Sequence, residues 1–187
     1  RSTPLYSSAA SDVYKRQTLL PPGPAEGEAT MQTLLMPLLE RAEATASLQG
    51  RPWRGPDLWP QWIDQPSQDG TIAEIVANLL ENAFRYSPAG CSVGLCLLPD
   101  GLCVWDNGPP IPLEERDLIF ERGARGSTGQ DRAGTGLGLA LARSLAEQQG
   151  RKLTLCVEPS TIAPDLPAQG NAFVLSWPAG ARPDPTT

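Results

Sequence analysis

The chain has 187 residues, a formal net charge of −6 and no histidine. This length suits one domain with its own core and some flanking chain. The negative charge argues against nucleic-acid binding through a basic surface, and no apolar run is long enough to cross a bilayer. The four cysteines form neither a CxxC motif nor a disulfide framework, so we expect buried thiols of a reducing cytoplasm.

Neither end of the chain shows the regular spacing of apolar residues that predicts a buried helix or strand. Residues 1–17 are polar and aperiodic and are interpreted as a non-native, adapter-like segment, which leaves them out of the fold prediction. Residues 18–30 are rich in Pro, Gly and Glu and are predicted to be a linker. The domain is predicted over residues 31–179, and residues 180–187 are predicted to be a disordered tail.

The first predicted helix covers residues 31–48, where leucine and alanine recur at helical spacing. Residues 51–68 carry three tryptophans and are predicted to be irregular, with one short edge strand. A second helix follows, and Thr71 with Glu74 predicts a capping box at its start. Its apolar positions form one stripe, while a second face carries polar side chains spaced three or four residues apart, namely Glu74, Asn78, Asn82 and Arg85.

The second half of the domain predicts strands around one more long helix. Residues 91–98 and 102–105 are predicted to form a hairpin joined by Pro99-Asp100-Gly101, which places Asp106 at a strand end. Residues 112–120 predict a short helix and residues 123–133 a mobile, glycine-rich lid.

The remaining elements complete the predicted architecture. A helix is predicted over residues 137–149, with Leu137, Leu141 and Leu145 as its buried stripe, and strands over residues 152–157 and 172–177. The order of elements predicts an α+β fold, a two-layer sandwich of helices on a mixed β-sheet.

Three motifs carry the chemistry: residues 74–88 (EIVANLLENAFRYSP), 106–112 (DNGPPIP) and 134–140 (GTGLGLA). An asparagine oxygen is a neutral hard ligand that suits Mg²⁺. A carboxylate only accepts hydrogen bonds, so Asp106 would prefer the amine of adenine to the carbonyl of guanine. Glycines at the start of a helix let the backbone approach phosphates. The glycine motif fits neither a Rossmann fingerprint nor a P-loop.

The order and spacing of these motifs resemble the ATP-binding domain of sensor histidine kinases. That superfamily also holds gyrase-type ATPases, the large heat-shock chaperones and mismatch-repair ATPases. In the family's terms the motifs are similar to an N box and two glycine boxes, with a partial F box at residues 119–126 (IFERGARG) between the latter. The resemblance implies a Bergerat-type fold that binds ATP and Mg²⁺.

The resemblance also implies roles for individual residues. Asn82 matches the metal ligand, and Asn78 lies where hydrolysing members carry a glutamate base, which an asparagine cannot replace. This favours phosphoryl transfer to a partner over hydrolysis. Arg85 is expected to meet phosphate and Tyr86 to pack on adenine, and Asn78, Asn82 and Arg85 form the implied catalytic set. The implied nucleotide-binding residues are Asn82, Arg85, Tyr86, Asp106, Gly108, Ile111, Arg125, Gly134, Thr135, Gly136, Leu137, Gly138 and Leu139.

Two positions depart from the family pattern. Pro110 stands where the first glycine box has its second glycine, which removes an N–H and fixes φ. Gly123 stands where the F box has a second aromatic residue, and its absence would loosen the packing of the lid against the helical hairpin of an intact kinase.

The implied function is that of the catalytic domain of a two-component sensor histidine kinase. It would present the γ-phosphate of ATP to a histidine on a helical hairpin outside this sequence, and would work with a response regulator receiver domain. The parent protein is expected to be a homodimer and this chain a cytoplasmic monomer, whether or not the parent is anchored in a membrane. Two alternatives stay open: a serine kinase of the anti-sigma type, and a degenerate, non-catalytic nucleotide-binding module.

Overall fold

The computed structural model describes residues 30–57, 59–60, 63, 70–123 and 136–177. The predicted segments 1–17 and 180–187, and all of the linker but residue 30, lie outside the described residues. The α-helices are α1 (Met31–Leu48), α2 (Thr71–Tyr86) and α3 (Gly138–Gln148). The strands are β1 (Trp53–Arg54), β2 (Val93–Leu98), β3 (Gly101–Asp106), β4 (Lys152–Cys156) and β5 (Asn171–Ser176).

The strands form one mixed sheet in the order β1-β2-β3-β5-β4. Strand β1 runs parallel to β2, and the other neighbours are antiparallel. Helix α2 packs against α1 and α3 and over β3, while α3 lies over β4. These layers confirm the predicted α+β sandwich of helices on a mixed sheet. No helix in the described part of the chain combines the length and the apolar character that a bilayer crossing requires.

The two N-terminal helices follow from their apolar periods. The bounds of α1 agree with the prediction, and its buried residues recur every three or four positions along one face. The predicted apolar stripe of α2 is fully buried, whereas Asn78, Asn82 and Arg85 remain half-buried and Glu74 is exposed. The predicted capping box is wrong. Gly70 is the N-cap and Thr71 is already helical, so the N-cap residue has no side chain that could accept the predicted bond.

The predicted hairpin is confirmed, with Asp106 as the last residue of β3. Leu98 pairs with Gly101 across the turn, and all six residues of β3 are buried because the strand lies at the centre of the sheet. Only glycine fits at position 101, since a Cβ there would lie 2.2 Å from the carbonyl oxygen of Leu175. The predicted edge strand is β1.

Two predictions downstream of the hairpin differ from the structure. Residues 112–120 form two short 3₁₀ turns, Leu113–Glu115 and Leu118–Phe120, in place of one helix. In α3 the predicted leucine stripe holds only for Leu145, which packs half-buried against the main core, whereas Leu137 and Leu141 are 48% and 42% exposed. The buried side chains are Ala140, Ala142 and Ala146. These small residues let α3 pack closely against α2 and the sheet, which apolar periodicity alone does not reveal.

The sheet separates two apolar clusters. The main core lies between the helices and one face, and a smaller cluster on the opposite face includes Cys103, Trp105, Leu166 and Ala172. The prediction of buried thiols holds only for Cys103. The other three thiols are half-buried, and all four are free.

Candidate nucleotide-binding site

Helix α2 joins the first motif to the second glycine motif. The Nδ2 of Asn78 donates a hydrogen bond to the carbonyl oxygen of Glu74 at 2.9 Å. Its Oδ1 lies against the first residue of α3, because a Cβ placed on Gly138 would be 3.3 Å from this oxygen. A side chain at position 138 would therefore crowd Asn78. With glycine there, residue 138 places no side chain between the start of α3 and the polar face of α2.

The other end of α2 meets the loop that follows β3. A Cβ on Gly108 would lie 2.7 Å from Oδ1 of Asp106 and 3.2 Å from Cδ of Pro88. Glycine is thus required for this loop to pass between the carboxylate and the end of α2. The motifs at residues 74–88 and 106–112, separated in sequence, are in contact here.

The carboxylate of Asp106 is the buried acceptor of this site, with only 5% of the residue exposed. Burial raises its pKa, against the opposing effects of the Gly108 N–H, the Asn171 amide and the positive charge of Arg51. The N–H of Gly108 donates to Oδ1 at 2.8 Å and Nδ2 of Asn171 donates to the same oxygen at 3.2 Å. Because both bonds go to Oδ1, the second oxygen, Oδ2, has no hydrogen-bond partner among the described residues.

Asn171 is a residue that sequence reasoning missed. Its Nδ2 also donates to the Pro109 carbonyl oxygen at 3.0 Å, and its Oδ1 accepts from the N–H of Ile111 at 2.8 Å. The register of β3 and β5 places it directly opposite Asp106. One side chain therefore holds both the carboxylate and the loop after it. Gly170 precedes it, and a Cβ at position 170 would lie 2.0 Å from the backbone oxygen of Asp106, a close approach that only the structure reveals.

The departure at Pro110 fits this loop. Asn171 holds the loop through the carbonyl of Pro109 and the N–H of Ile111, one on each side of the proline. Neither bond uses the backbone nitrogen of residue 110, so proline at that position removes no donor from them. Ile111 also packs against the main core, as a residue with a fixed loop position would.

A half-buried cation, Arg51, lies next to the end of α2. The Nη2 of Arg51 donates to the carbonyl oxygen of Ser87 at 2.6 Å, and the hydroxyl of Ser87 donates to the carbonyl of Ala83. These bonds fix the chain as it leaves the helix. The Arg51 charge also favours the ionised form of Asp106.

The remaining predicted residues of α2 lie in its last two turns. Asn82, Arg85 and Tyr86 are half-buried, and Arg85 forms an ion pair with Glu81 one turn earlier. Within the described residues, the Asn82 side chain has no hydrogen-bond partner. The described part of the chain contains no cluster of three His, Cys, Asp or Glu that could hold a metal ion. A magnesium ion here would need Asn82 together with ligand oxygens and water, a donor set that this metal accepts.

The F-box segment touches the second glycine motif. The N–H of Gly123 donates to the carbonyl of Gly136 at 3.0 Å, and φ is 77° at Gly123 and 65° at Gly136. A positive φ disfavours an aromatic residue, which gives a physical reason for glycine at position 123. Phe120 packs edge-on against Phe173 with ring centroids 6.2 Å apart.

The described residues cover only part of the glycine motif. The predicted contacts Arg125, Gly134 and Thr135 lie outside the described residues, as does most of the predicted lid. Leu139 packs against the main core, whereas Leu137 faces solvent. A buried acceptor, a helix face that carries two carboxamides and a helix start with glycine at position 138 are thus linked through α2, an arrangement that suits a nucleotide.

Comparison with known proteins identifies the family. Residues 68–181 match the family described as histidine kinase-, DNA gyrase B-, and HSP90-like ATPase. The chain belongs to this family, as an ATP-binding catalytic domain of the sensor histidine kinase type. It is 35% identical over 159 residues to the sensor histidine kinase Hik2 of Thermosynechococcus vestitus, across 81% of this chain and 39% of that protein. The chain spans less than half the length of the curated relatives it matches.

Solved structures share the fold. The mycobacterial sensor histidine kinase MprB aligns with a TM-score of 0.57 and 27% identity, over 75% of this chain and 93% of that one. Full-length ShkA in complex with AMPPNP aligns with a TM-score of 0.59 and 21% identity, over 81% of this chain and 30% of that one. At that identity the second likeness concerns the fold alone.

Replacing Asn171 with Ala should destabilise the domain by about 1–3 kcal/mol, because it leaves the part-buried N–H of Ile111 and carbonyl of Pro109 without their partner and removes a donor from the buried carboxylate of Asp106. Urea unfolding monitored by tryptophan fluorescence measures the change. Gln148→Ala, which removes an exposed amide on α3, is the matched control and should change the free energy of unfolding by less than about 0.5 kcal/mol. Equal changes in the free energy of unfolding for the two variants would contradict the conclusion that Asn171 holds Asp106 and the loop after it.

Replacing Asp106 with Asn should stabilise the ligand-free domain at pH 7. Burial raises the folded-state pKa of Asp106 above its unfolded value, so folding is opposed by the ionised carboxylate above that folded pKa. This destabilisation disappears below pH about 4, the pKa of the carboxyl in the unfolded chain, because the group is then neutral in both the folded and the unfolded state. The gain in melting temperature should therefore shrink as pH falls from 7 to 4.

The control for this pH series is Asp100→Asn in the exposed hairpin turn, which removes the same charge. Thermal unfolding of both variants and the unaltered chain is compared at each pH. A gain for Asp106→Asn that does not vary with pH, or that matches Asp100→Asn, would contradict the assigned effect of burial.

Proposed function

We propose that this domain binds Mg-ATP and presents the γ-phosphate to a histidine on a helical hairpin of a two-component sensor kinase. One observation carries the proposal: helix α2 brings the three motifs together. Asn78 lies against Gly138, Gly108 lies against Pro88, and Asp106 is the buried acceptor between β3 and the loop. Two matched relatives are named as a sensor histidine kinase and a sensor protein, which supports a kinase of the sensor type.

The adenine would be recognised at the end of β3. Oδ1 of Asp106 is occupied by Gly108 and Asn171, so Oδ2 would accept from the exocyclic amine of adenine. A guanine would turn a carbonyl towards the same oxygen and leave two acceptors facing each other. Tyr86, half-buried at the end of α2, would pack against the base.

The phosphates would lie between α2 and the start of α3. The free N–H groups and the dipole at the N-terminus of α3 favour negative charge, and glycine at position 138 allows close approach. Arg85 adds a positive charge on the neighbouring helix, held in place by Glu81. This arrangement stabilises a triphosphate on a protein whose net charge is −6.

Asn82 is the proposed protein ligand of Mg²⁺. Asn82 would hold the metal, which would supply positive charge against the phosphates. The chain's own contribution is positioning. Asn78 cannot take a proton from water as a glutamate would, and its Nδ2 is engaged by the helix backbone. Transfer of the γ-phosphate to a partner is therefore favoured over hydrolysis of ATP.

The phosphoacceptor must come from outside this sequence, which contains no histidine. The proposed partners are the hairpin of the parent kinase and a response regulator receiver domain. The parent is proposed to be a homodimer and this chain a monomer. The presence of four free thiols supports a cytoplasmic location. A serine kinase of the anti-sigma type is not favoured, because the matched relatives carry sensor histidine kinase names.

Base selectivity tests the site. The unaltered chain should bind ATP more tightly than GTP by about 1–3 kcal/mol, or roughly tenfold to a hundredfold, because guanine leaves a buried acceptor mismatched. Asp106→Asn replaces one acceptor oxygen with a donor and should narrow this ratio, mainly by weakening ATP. Titration calorimetry with Mg²⁺ measures both affinities.

The control for selectivity is Asp100→Asn, which should leave the ratio unchanged. Equal affinity of the unaltered chain for the two nucleotides would overturn the assignment of Asp106 and with it the proposed site.

Replacing Asn82 with Ala should remove the dependence of ATP affinity on Mg²⁺ while leaving the melting temperature of the free domain nearly unchanged. The side chain has no hydrogen-bond partner among the described residues, so little folding energy is lost with it. Calorimetric titrations with and without Mg²⁺ measure the effect. Gln148→Ala is the matched control, because it removes an exposed carboxamide at the far end of α3. Retained magnesium dependence in Asn82→Ala would rule out Asn82 as the ligand.

A further inference from the structure

Two thiols face each other on the side of the sheet away from the helices. Cys96 of β2 pairs directly with Cys103 of β3. Both belong to the small cluster around Trp105 and Leu166 rather than to the main core. Cys103 is buried and Cys96 is half-buried, so one member of the pair is open to small reagents.

The register fixes the distance between the pair. The N–H of Asn107 donates to the carbonyl of Ser92 at 3.2 Å, which marks these residues as a hydrogen-bonded pair of the antiparallel ladder. Such pairs alternate along the two strands, so Cys96 and Cys103 also form one, with Cα atoms about 5.5 Å apart. Disulfides commonly span this Cα distance. No strand needs to change its register for the bond to form.

The surroundings distinguish the two thiols. The hydrogen bond from Cys103 lowers the pKa of Cys96, and the positive charge of Arg54 acts in the same direction, against burial and the charge of Asp165. The same hydrogen bond and burial raise the pKa of Cys103. Cys96 is therefore the thiol that ionises first, and it is also the more exposed one.

We propose that Cys96 and Cys103 form a reversible intramolecular disulfide, a redox modification site separate from the nucleotide site. With hydrogen peroxide as oxidant, the Cys96 thiolate attacks one oxygen, the O–O bond breaks, and the hydroxide that leaves takes a proton to become water. The resulting sulfenic acid is attacked by the Cys103 sulfur, which loses its proton as the S–S bond forms and a second water leaves. Two thiols lose two electrons and the peroxide gains them. A dithiol reductant reverses the bond by exchange.

The other cysteines are not part of the pair. The thiol of Cys156 donates to the carbonyl oxygen of Glu158 at 3.4 Å and contacts Oγ1 of Thr161 at 3.5 Å. Cys91 precedes β2 and has no paired cysteine in the register. Cys91→Ser and Cys156→Ser therefore serve as controls that keep the proposed bond.

The test uses the full chain at low protein concentration, treated with hydrogen peroxide, alkylated and analysed by mass spectrometry. Two of the four thiols should become unreactive and should return after treatment with dithiothreitol. Cleavage on the amino side of Asp100 and Asp106 places Cys96 and Cys103 in different peptides, which should stay linked until reduction. The link should persist in Cys91→Ser and Cys156→Ser and disappear in Cys96→Ser.

Four outcomes would overturn the proposal: all four thiols stay reactive, the link is lost in either control variant, the linked product is a dimer on a non-reducing gel, or reductant does not restore the thiols. Because the readout is the bond itself, the result does not depend on nucleotide binding. The nucleotide titrations test the proposed ATP site, and the linked peptides test the disulfide, so either proposal can be overturned without the other.

Discussion

The pairing of Asp106 with Asn171 is the constraint on which the rest of the site depends. A carboxylate that is removed from water must be supplied with donors, or it loses its charge. Asn171 supplies one donor while the loop supplies another through Gly108, and the same amide fixes Pro109 and Ile111. The register of two central strands thus sets the position of an acceptor and of the loop that leads away from it.

Local patterns predicted much of the architecture. The two faces of α2 could be predicted from its apolar period, because the helical spacing that puts its apolar residues on one stripe is a local property of the sequence. The hairpin could be predicted from its turn for the same reason. The sequence motifs also pointed to Asn78 and Gly138, and to Asp106 and Gly108, and in the fold each of these two pairs is in contact.

What the sequence did not reveal depends on contacts between distant segments. Asn171 matters because β5 lies beside β3 in a given register, and no local pattern encodes that pairing. The buried face of α3 is made of alanines because α2 lies close by, whereas apolar periodicity also favoured Leu137 and Leu141, which remain exposed. The capping box failed for a smaller reason, since helix α2 begins one residue earlier than the Thr71 signal requires.

The edges of the described sheet have a consequence for solubility. Strand β1 is two residues long and lies between Pro52 and Gly55-Pro56, so it offers few backbone groups to a foreign strand. At the opposite edge, β4 begins with the exposed, charged Lys152. Short edges, prolines and edge lysines are the features that prevent sheets from joining edge to edge. A domain separated from the rest of its parent protein would on this account resist aggregation through strand addition.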